Sequence, residues 1–120
     1  MKKVLFIIIC LLCIVGCSNN DVDDDKVTYM EAKEKIINDG AILLDVRTKE
    51  EYDEKHIDGA SLLPLDIIDI DSISQIVSEK DTPIIVYCRS GNRSKQAREK
   101  LIALGYSKVY DLGAMSNWKE

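Results

Sequence analysis

Apolar and polar residues alternate along the chain in two kinds of pattern. Short runs of branched and aromatic residues predict strands at residues 41–44, 61–63, 84–87 and 109–110. Between these runs, apolar residues at helical spacing predict helices at residues 28–38, 48–55, 66–79 (with one break) and 94–104, and a short helical turn containing Trp118. Strands that alternate with helices predict an α/β fold with a mainly parallel central sheet and helices on both faces.

Polar signals mark where several of these helices begin and end. Thr28 with Glu31, and Thr48 with Glu51, have the spacing of capping boxes, which open helices. Gly40 and Gly105 follow the ends of two predicted helices, where a glycine commonly terminates the last turn.

The first residues have the pattern of a targeting segment. Lys2 and Lys3 precede an apolar run at residues 4–15, and Gly16 and Cys17 stand where the sequence becomes polar. Because residues 14–17 resemble a bacterial lipobox, we predict a lipoprotein signal peptide at 1–16 and lipidation of Cys17. The alternatives are an ordinary signal peptide, or an uncleaved anchor in which Cys17 is incidental.

This prediction divides the chain into three parts. Residues 17–26 form the lipidated cysteine and an acidic tether without apolar periodicity, and residues 27–120 form a single domain. The expected location is extracytoplasmic, with the domain anchored by lipid to the bacterial cell membrane. The aspartates of the tether lack the glycine and the terminal glutamate of a calcium loop, so no metal site is predicted.

The net charge limits the class of partner. The 120 residues carry a formal charge of −5, and removal of Lys2 and Lys3 would bring it to about −7. A strongly acidic chain is a poor partner for nucleic acid or for an anionic membrane surface. We therefore expect no nucleic-acid partner, and contact with the membrane through the N-terminal lipid only.

Cysteine positions point to one reactive thiol. Cys10 and Cys13 would leave with the signal peptide and Cys17 would be blocked by lipid, so Cys88 alone would remain. One unpaired cysteine is neither a disulfide framework nor a zinc site, and it indicates a reactive thiol.

The loop that follows Cys88 is suited to holding an anion. It contains residues that tolerate tight turns, and its backbone N–H groups can point into one concavity: Ser90, Gly91, Asn92 and Ser94. The next helix adds its positive end, and Arg89 and Arg93 add two cations. These features favour a thiolate with a lowered pKa, which is the nucleophilic form. The alternative is a buried, inert structural cysteine.

Three segments together resemble the rhodanese domain. They are LLDVRTKEEY (43–52) with HIDGA (56–60), CRSGNRS (88–94), and VYDLGA (109–114) leading to Trp118. The resemblance covers residues 27–120, although the third segment has Gly113-Ala114 where the family usually has a glycine pair.

The resemblance implies sulfur transfer through a persulfide on Cys88. The donor would be a small anion such as thiosulfate, and the acceptor would be cyanide, a thiol or a protein. Backbone N–H groups from Arg89 to Ser94 would hold the persulfide, and Arg89 and Arg93 would bind the anionic donor. No metal or organic cofactor is implied.

Three further residues are candidates for a role in the site. Asp45 and Arg47 lie at the carboxyl end of a predicted strand, so active-site support is possible, but we favour a structural ion pair. His56 falls in a predicted structural turn, and nothing in the sequence indicates that it reaches Cys88.

Two other functions are compatible with the sequence. A cysteine phosphatase or arsenate reductase also uses a thiolate in an anion-binding loop, but its pattern has five residues between cysteine and arginine, and four separate Cys88 from Arg93. A non-catalytic module that binds anions or partner proteins is the alternative from another class, and the presence of Cys88 counts against it.

Overall fold

The computed structural model describes residues 25–119 and builds them around one sheet of four parallel strands. The strands are β1 (Ile42–Asp45), β2 (Ser61–Leu62), β3 (Ile84–Cys88) and β4 (Val109–Ala114), in the order β2-β1-β3-β4. Because all four are parallel, their carboxyl ends meet at one edge of the sheet. The predicted signal peptide and Cys17 lie outside the described residues.

Residues 25–119 contain four helices, of which the first precedes β1 and the other three connect successive strands. They are α1 (Tyr29–Asp39), α2 (Lys49–Glu54), α3 (Ile70–Ile76) and α4 (Asn92–Ala103), with short 3₁₀ turns at Leu65–Ile67 and Met115–Asn117. Both predicted capping boxes are present, at Thr28 with Glu31 and at Thr48 with Glu51. The local polar signals therefore identified the starts of α1 and α2 correctly.

The helices cover both faces of the sheet. On one face, α3 and α4 contribute Ile73, Ala97 and Leu101 to a core that also contains Cys88. On the other, α1 contributes Ala32 to a second core and Tyr52 of α2 packs against it. Alternate residues of β3 point to opposite faces, and the whole strand is buried. The predicted α/β class with a parallel sheet covered on both sides is confirmed.

Two elements differ from their predicted extents. The stripe at residues 66–79 divides into a 3₁₀ turn and α3, because Asp69 is extended and caps α3 by accepting the Ser72 N–H at 2.8 Å. Strand β4 continues past Tyr110 to Ala114, through a shift in register with β3. There the Asp111 carboxylate accepts the Gly113 N–H at 2.8 Å. Asp111 and Gly113, which lie beyond the predicted end of the strand, are therefore part of β4.

The end of the predicted tether lies against the domain. Lys26 forms a parallel bridge with Asp111 of β4, and the Asp25 carboxylate pairs with Arg98 of α4 at 3.0 Å. Asp25 and Lys26, which precede the predicted domain start at residue 27, therefore contact the domain. Within residues 25–119, no helix has the length and apolar character needed to cross a bilayer.

Candidate active site

Cys88 ends β3 at the carboxyl edge of the sheet, where the chain turns into α4. Its side chain is completely buried and belongs to the core beneath α4. Gly91, with φ of 103°, directly precedes the first residue of α4. That left-handed conformation favours glycine, and it lets the chain turn from strand to helix in three residues. The helix therefore begins at Asn92, two residues earlier than predicted, and its positive end lies beside the thiol.

Hydrogen-bond donors surround the sulfur. The Gly91 N–H donates to Cys88 Sγ at 3.0 Å. Burial by itself raises the pKa of Cys88, but the polar groups around it, namely the Ser94 side chain and the N–H groups of Ser94, Gly91 and Ser90, outweigh burial and lower that pKa. The predicted direction is confirmed, and the cause is the set of loop donors.

The buried Ser94 hydroxyl also ties the loop together. It donates to the Gly91 carbonyl at 3.1 Å, across the turn that surrounds the sulfur. Ser90 and Asn92 are exposed on the outside of the same turn. The loop is thus held in shape before any ligand binds, which is the condition for strong stabilisation of an anion.

The two loop arginines differ in their surroundings. Arg93 donates through Nη1 and Nη2 to the two carboxylate oxygens of Glu51, at 2.7 and 2.9 Å. Arg89 is exposed and makes no hydrogen bond or ion pair within residues 25–119. A role for either guanidinium in binding a donor stays a prediction, and the pairing makes Arg89 the more available cation.

Glu51 contributes to the site, although the sequence indicated only that it caps a helix. Its carboxylate accepts from the Thr48 N–H at 3.1 Å and also binds Arg93, so it connects α2 to the cysteine loop. Arg93 lowers the pKa of Glu51 to about 2, with burial opposing and Thr48 assisting the shift. No local signal marked this pair, because 42 residues separate its members.

Asp45 and Arg47 form a buried pair at the end of β1. Arg47 Nη2 lies 2.7 Å from Asp45 Oδ2, and Arg47 Nε contacts both carboxylate oxygens. The Tyr87 hydroxyl donates to Asp45 at 2.7 Å, and Arg47 also donates to the Lys55 carbonyl at 2.6 Å. These contacts hold β1, β3 and the end of α2 together. They are the contacts of the structural ion pair that we favoured for Asp45 and Arg47, while a direct active-site role stays a prediction.

Tyr87 is not among the residues that the sequence predicts for the site. Its hydroxyl also accepts the Ile57 N–H at 3.1 Å, so it connects β3 to the loop after α2. A tyrosine in an otherwise apolar strand is the available signal, because a buried hydroxyl requires a partner.

His56 packs beside α2. Its ring stacks on Tyr52 at 3.6 Å between centroids, and its Nδ1 lies 2.7 Å from the Tyr52 carbonyl. Its contacts therefore belong to the turn after α2, as expected for a structural histidine.

The Glu51–Arg93 pair predicts a pH-dependent contribution to stability. Glu51→Gln keeps a side chain able to cap α2 but removes the charge, so we expect the free energy of unfolding at pH 7 to fall by about 1 kcal/mol. The carboxylate has its ordinary pKa of 4.5 when unfolded and about 2 when folded. Its stabilisation is therefore complete above pH 4.5 and is lost as the pH falls towards 2. Urea unfolding of both proteins between pH 2 and 7 measures this difference.

Glu31→Gln is the matched control for that measurement. Glu31 caps α1 in the same way but pairs with no arginine in residues 25–119. Its substitution is expected to have a clearly smaller effect. Equal losses in the two variants would show that the cap, and not the Arg93 pair, carries the stability.

Known proteins resemble this chain over most of its length. The model of the Rhodanese-like domain family matches residues 28–120. The chain is 30% identical over 95 residues to "Thiosulfate sulfurtransferase GlpE" of Coxiella burnetii, a match that covers 78% of this chain and 86% of that protein. It is 38% identical over 105 residues to "Adenylyltransferase and sulfurtransferase UBA4" of Meyerozyma guilliermondii, covering 82% of this chain but only 25% of that longer protein.

Solved structures agree with the sequence matches. A structure described as "rhodanese with anions from E. coli" superposes with a TM-score of 0.59 at 33% identity, over 64% of this chain and 89% of that one. The fold of this chain is thus that of a known architecture.

Proposed function

This chain belongs to the family of rhodanese-like domains, and on that premise we propose that it is a sulfurtransferase of the thiosulfate sulfurtransferase type. The observation that carries the proposal is the position of Cys88 between the end of β3 and the start of α4, where the Gly91 N–H donates to Sγ at 3.0 Å. The loop donors also lower the pKa of this thiol despite its burial. The relative named thiosulfate sulfurtransferase matches 78% of this chain, which supports the same reaction class.

In the first half of the reaction, the Cys88 thiolate attacks the outer sulfur of thiosulfate. A bond forms between Cys88 Sγ and that sulfur, the sulfur–sulfur bond of thiosulfate breaks, and its electron pair leaves with sulfite. The product is a persulfide anion on Cys88. The N–H of Gly91 already donates to the sulfur at 3.0 Å, so little reorganisation is needed as charge moves outward.

In the second half, a nucleophilic acceptor attacks the outer sulfur of the persulfide. The sulfur–sulfur bond breaks, its electron pair returns to Cys88, and the acceptor leaves carrying the sulfur. The low pKa of Cys88 makes its thiolate a good leaving group in this step. Arg89, which has no ion-pair partner in residues 25–119, would attract anionic donors.

The proposed location is the outer side of a bacterial membrane, with the domain held by lipid on Cys17. The basic start at Lys2 and Lys3, the apolar run at 4–15 and the Gly16-Cys17 junction support it. A membrane contact through this lipid, and small sulfur donors and acceptors as the other partners, complete the proposal.

Mass spectrometry of the protein after incubation with thiosulfate tests the reaction class. We expect one added sulfur atom per chain, on the peptide that contains Cys88, and thiocyanate on addition of cyanide. Sulfate is the matched control, because it has no transferable sulfur and should leave the mass unchanged.

The same preparation tests the competing phosphatase. An aryl phosphate should be hydrolysed no faster than in buffer, since only four residues separate Cys88 from Arg93. Hydrolysis that depends on Cys88, together with an unchanged mass after thiosulfate, would favour the phosphatase over the sulfurtransferase.

A further inference from the structure

The solvent side of α1 carries exposed apolar side chains. Met30 and Ile37 are 71% and 73% exposed, more than any other large hydrophobic residue within residues 25–119. Lys33 and Glu34 lie between them along the helix, and both are exposed. Residues at spacings of three, four and seven share one face of a helix, so these four side chains form one stripe about 10 Å long. We call it the α1 stripe.

The α1 stripe faces away from the core of the domain. Ala32 is completely buried and packs the other side of α1 against the second core. When a helix packs on a domain through one side, its opposite side is normally polar. Two large apolar side chains on that opposite side therefore favour contact with another molecule.

The charged members of the stripe are available to a partner. No ion pair within residues 25–119 includes Lys33 or Glu34. Lys33 Nζ lies 5.4 Å from the centroid of the Tyr29 ring, a contact that leaves its N–H groups able to bind a carboxylate. The stripe thus presents one cation and one anion between two apolar side chains.

This order of side chains is complementary to itself. Met30 and Lys33 lie as far before the midpoint of the stripe as Ile37 and Glu34 lie after it. A two-fold axis through that midpoint, perpendicular to the helix, packs a second α1 antiparallel to the first. Met30 then contacts Ile37 of the second copy, Lys33 pairs with Glu34 of the second copy, and each contact occurs twice. Parallel helices would instead bring like charges together, which is unfavourable.

We propose that the α1 stripe is the contact surface of an antiparallel dimer of this chain. The face of one 11-residue helix is small beside standard protein interfaces, so the dimer is weak. The expected dissociation constant is on the order of 10⁻⁴ M. The dimer goes beyond the proposed sulfurtransferase reaction and does not depend on it, since Cys88 lies at the carboxyl edge of the sheet and outside the stripe.

Charge reversal tests the antiparallel contact, by sedimentation equilibrium of the full-length chain with a reductant present, at up to about 1 mM. Lys33→Glu and Glu34→Lys each replace two opposite-charge pairs with two like-charge pairs, so each should weaken dimerisation about tenfold. An equimolar mixture of the two variants should dimerise about as strongly as the wild type, because one chain supplies both carboxylates and the other both ammonium groups. The double variant Lys33→Glu with Glu34→Lys should also recover the wild-type affinity.

Substitution of an apolar residue provides a second test with a matched control. Ile37→Gln removes both contacts between Met30 and Ile37, and it should weaken dimerisation about tenfold. Ile67→Gln is the control, because Ile67 is also exposed but lies outside α1. It should dimerise as the wild type does. Residues 1–24 are the same in every variant, so differences between variants report the α1 stripe.

Three results would overturn the proposal. The first is a wild-type chain that stays monomeric at about 1 mM, which is tenfold above the expected dissociation constant. The second is a mixture of the two charge variants that dimerises no better than either variant alone. The third is an equal loss of dimer in Ile37→Gln and Ile67→Gln.

Discussion

Cys88→Ser is expected to abolish sulfur loading from thiosulfate while leaving the fold intact. A serine hydroxyl has nearly the shape of the thiol and fits the same buried position. However, the loop donors stabilise a thiolate, and they cannot ionise a hydroxyl near neutral pH. We expect the rate to fall at least about 10³-fold, as is usual when a covalent nucleophile is removed. The measurements are protein mass after thiosulfate and the rate of thiocyanate formation with cyanide.

The other cysteines provide the control for this loss. Cys17→Ser removes the cysteine predicted to carry lipid and should load one sulfur at the wild-type rate. Thermal unfolding of Cys88→Ser should match that of the wild type, so that lost activity is not lost structure. Sulfur loading that persists in Cys88→Ser would contradict the assignment of Cys88 as the nucleophile.

Arg47→Met is expected to destabilise the domain by about 3–5 kcal/mol, because it leaves the fully buried Asp45 carboxylate without its charged partner. The Lys55 carbonyl also loses a donor, so the end of α2 loses its connection to β1. That loss is a large part of the stability of a small domain. Urea unfolding at neutral pH measures it, and the slope of the transition shows whether the variant still unfolds cooperatively.

Two variants make this prediction specific. Lys49→Met also removes a cation from an ion pair, but the pair with Asp53 is exposed and should contribute at most about 0.5 kcal/mol. The double substitution Asp45→Leu with Arg47→Met should recover part of the loss, because no unpaired charge stays buried. Equal losses for Arg47→Met and Lys49→Met would contradict the structural role of the Asp45–Arg47 pair.

The elements of the fold were predictable where the signals are local. Thr28 with Glu31 and Thr48 with Glu51 identify the starts of α1 and α2, because a capping box acts over three residues. The apolar run at Ile84–Cys88 identifies a strand buried on both faces. Prediction was weaker for β4, since Asp111 and Gly113 are unusual in strands and their mutual hydrogen bond forms only in the register shift.

The candidate reactive centre was also predictable, because its signals are local in the sequence. Cys88, the turn residues after it and the start of α4 are contiguous, so composition alone indicates a cluster of N–H donors at a helix end. The spacing to Arg93 separates the sulfurtransferase pattern from the phosphatase pattern. Whether Arg89 or Arg93 pairs with a carboxylate was not predictable, because pairing depends on which carboxylates approach each arginine in the folded chain.

The order of strands and helices along the chain, the parallel-sheet class and the choice of Cys88 as the candidate reactive thiol all follow from the sequence. Each of these follows from rules that act within a few neighbouring residues. The folded structure was needed to show that Glu51 pairs with Arg93, that the Tyr87 hydroxyl donates to Asp45, and that Lys55, Arg89 and Met115 line one groove. These contacts join residues far apart in the chain, and they exist because four parallel strands bring their carboxyl ends to one edge.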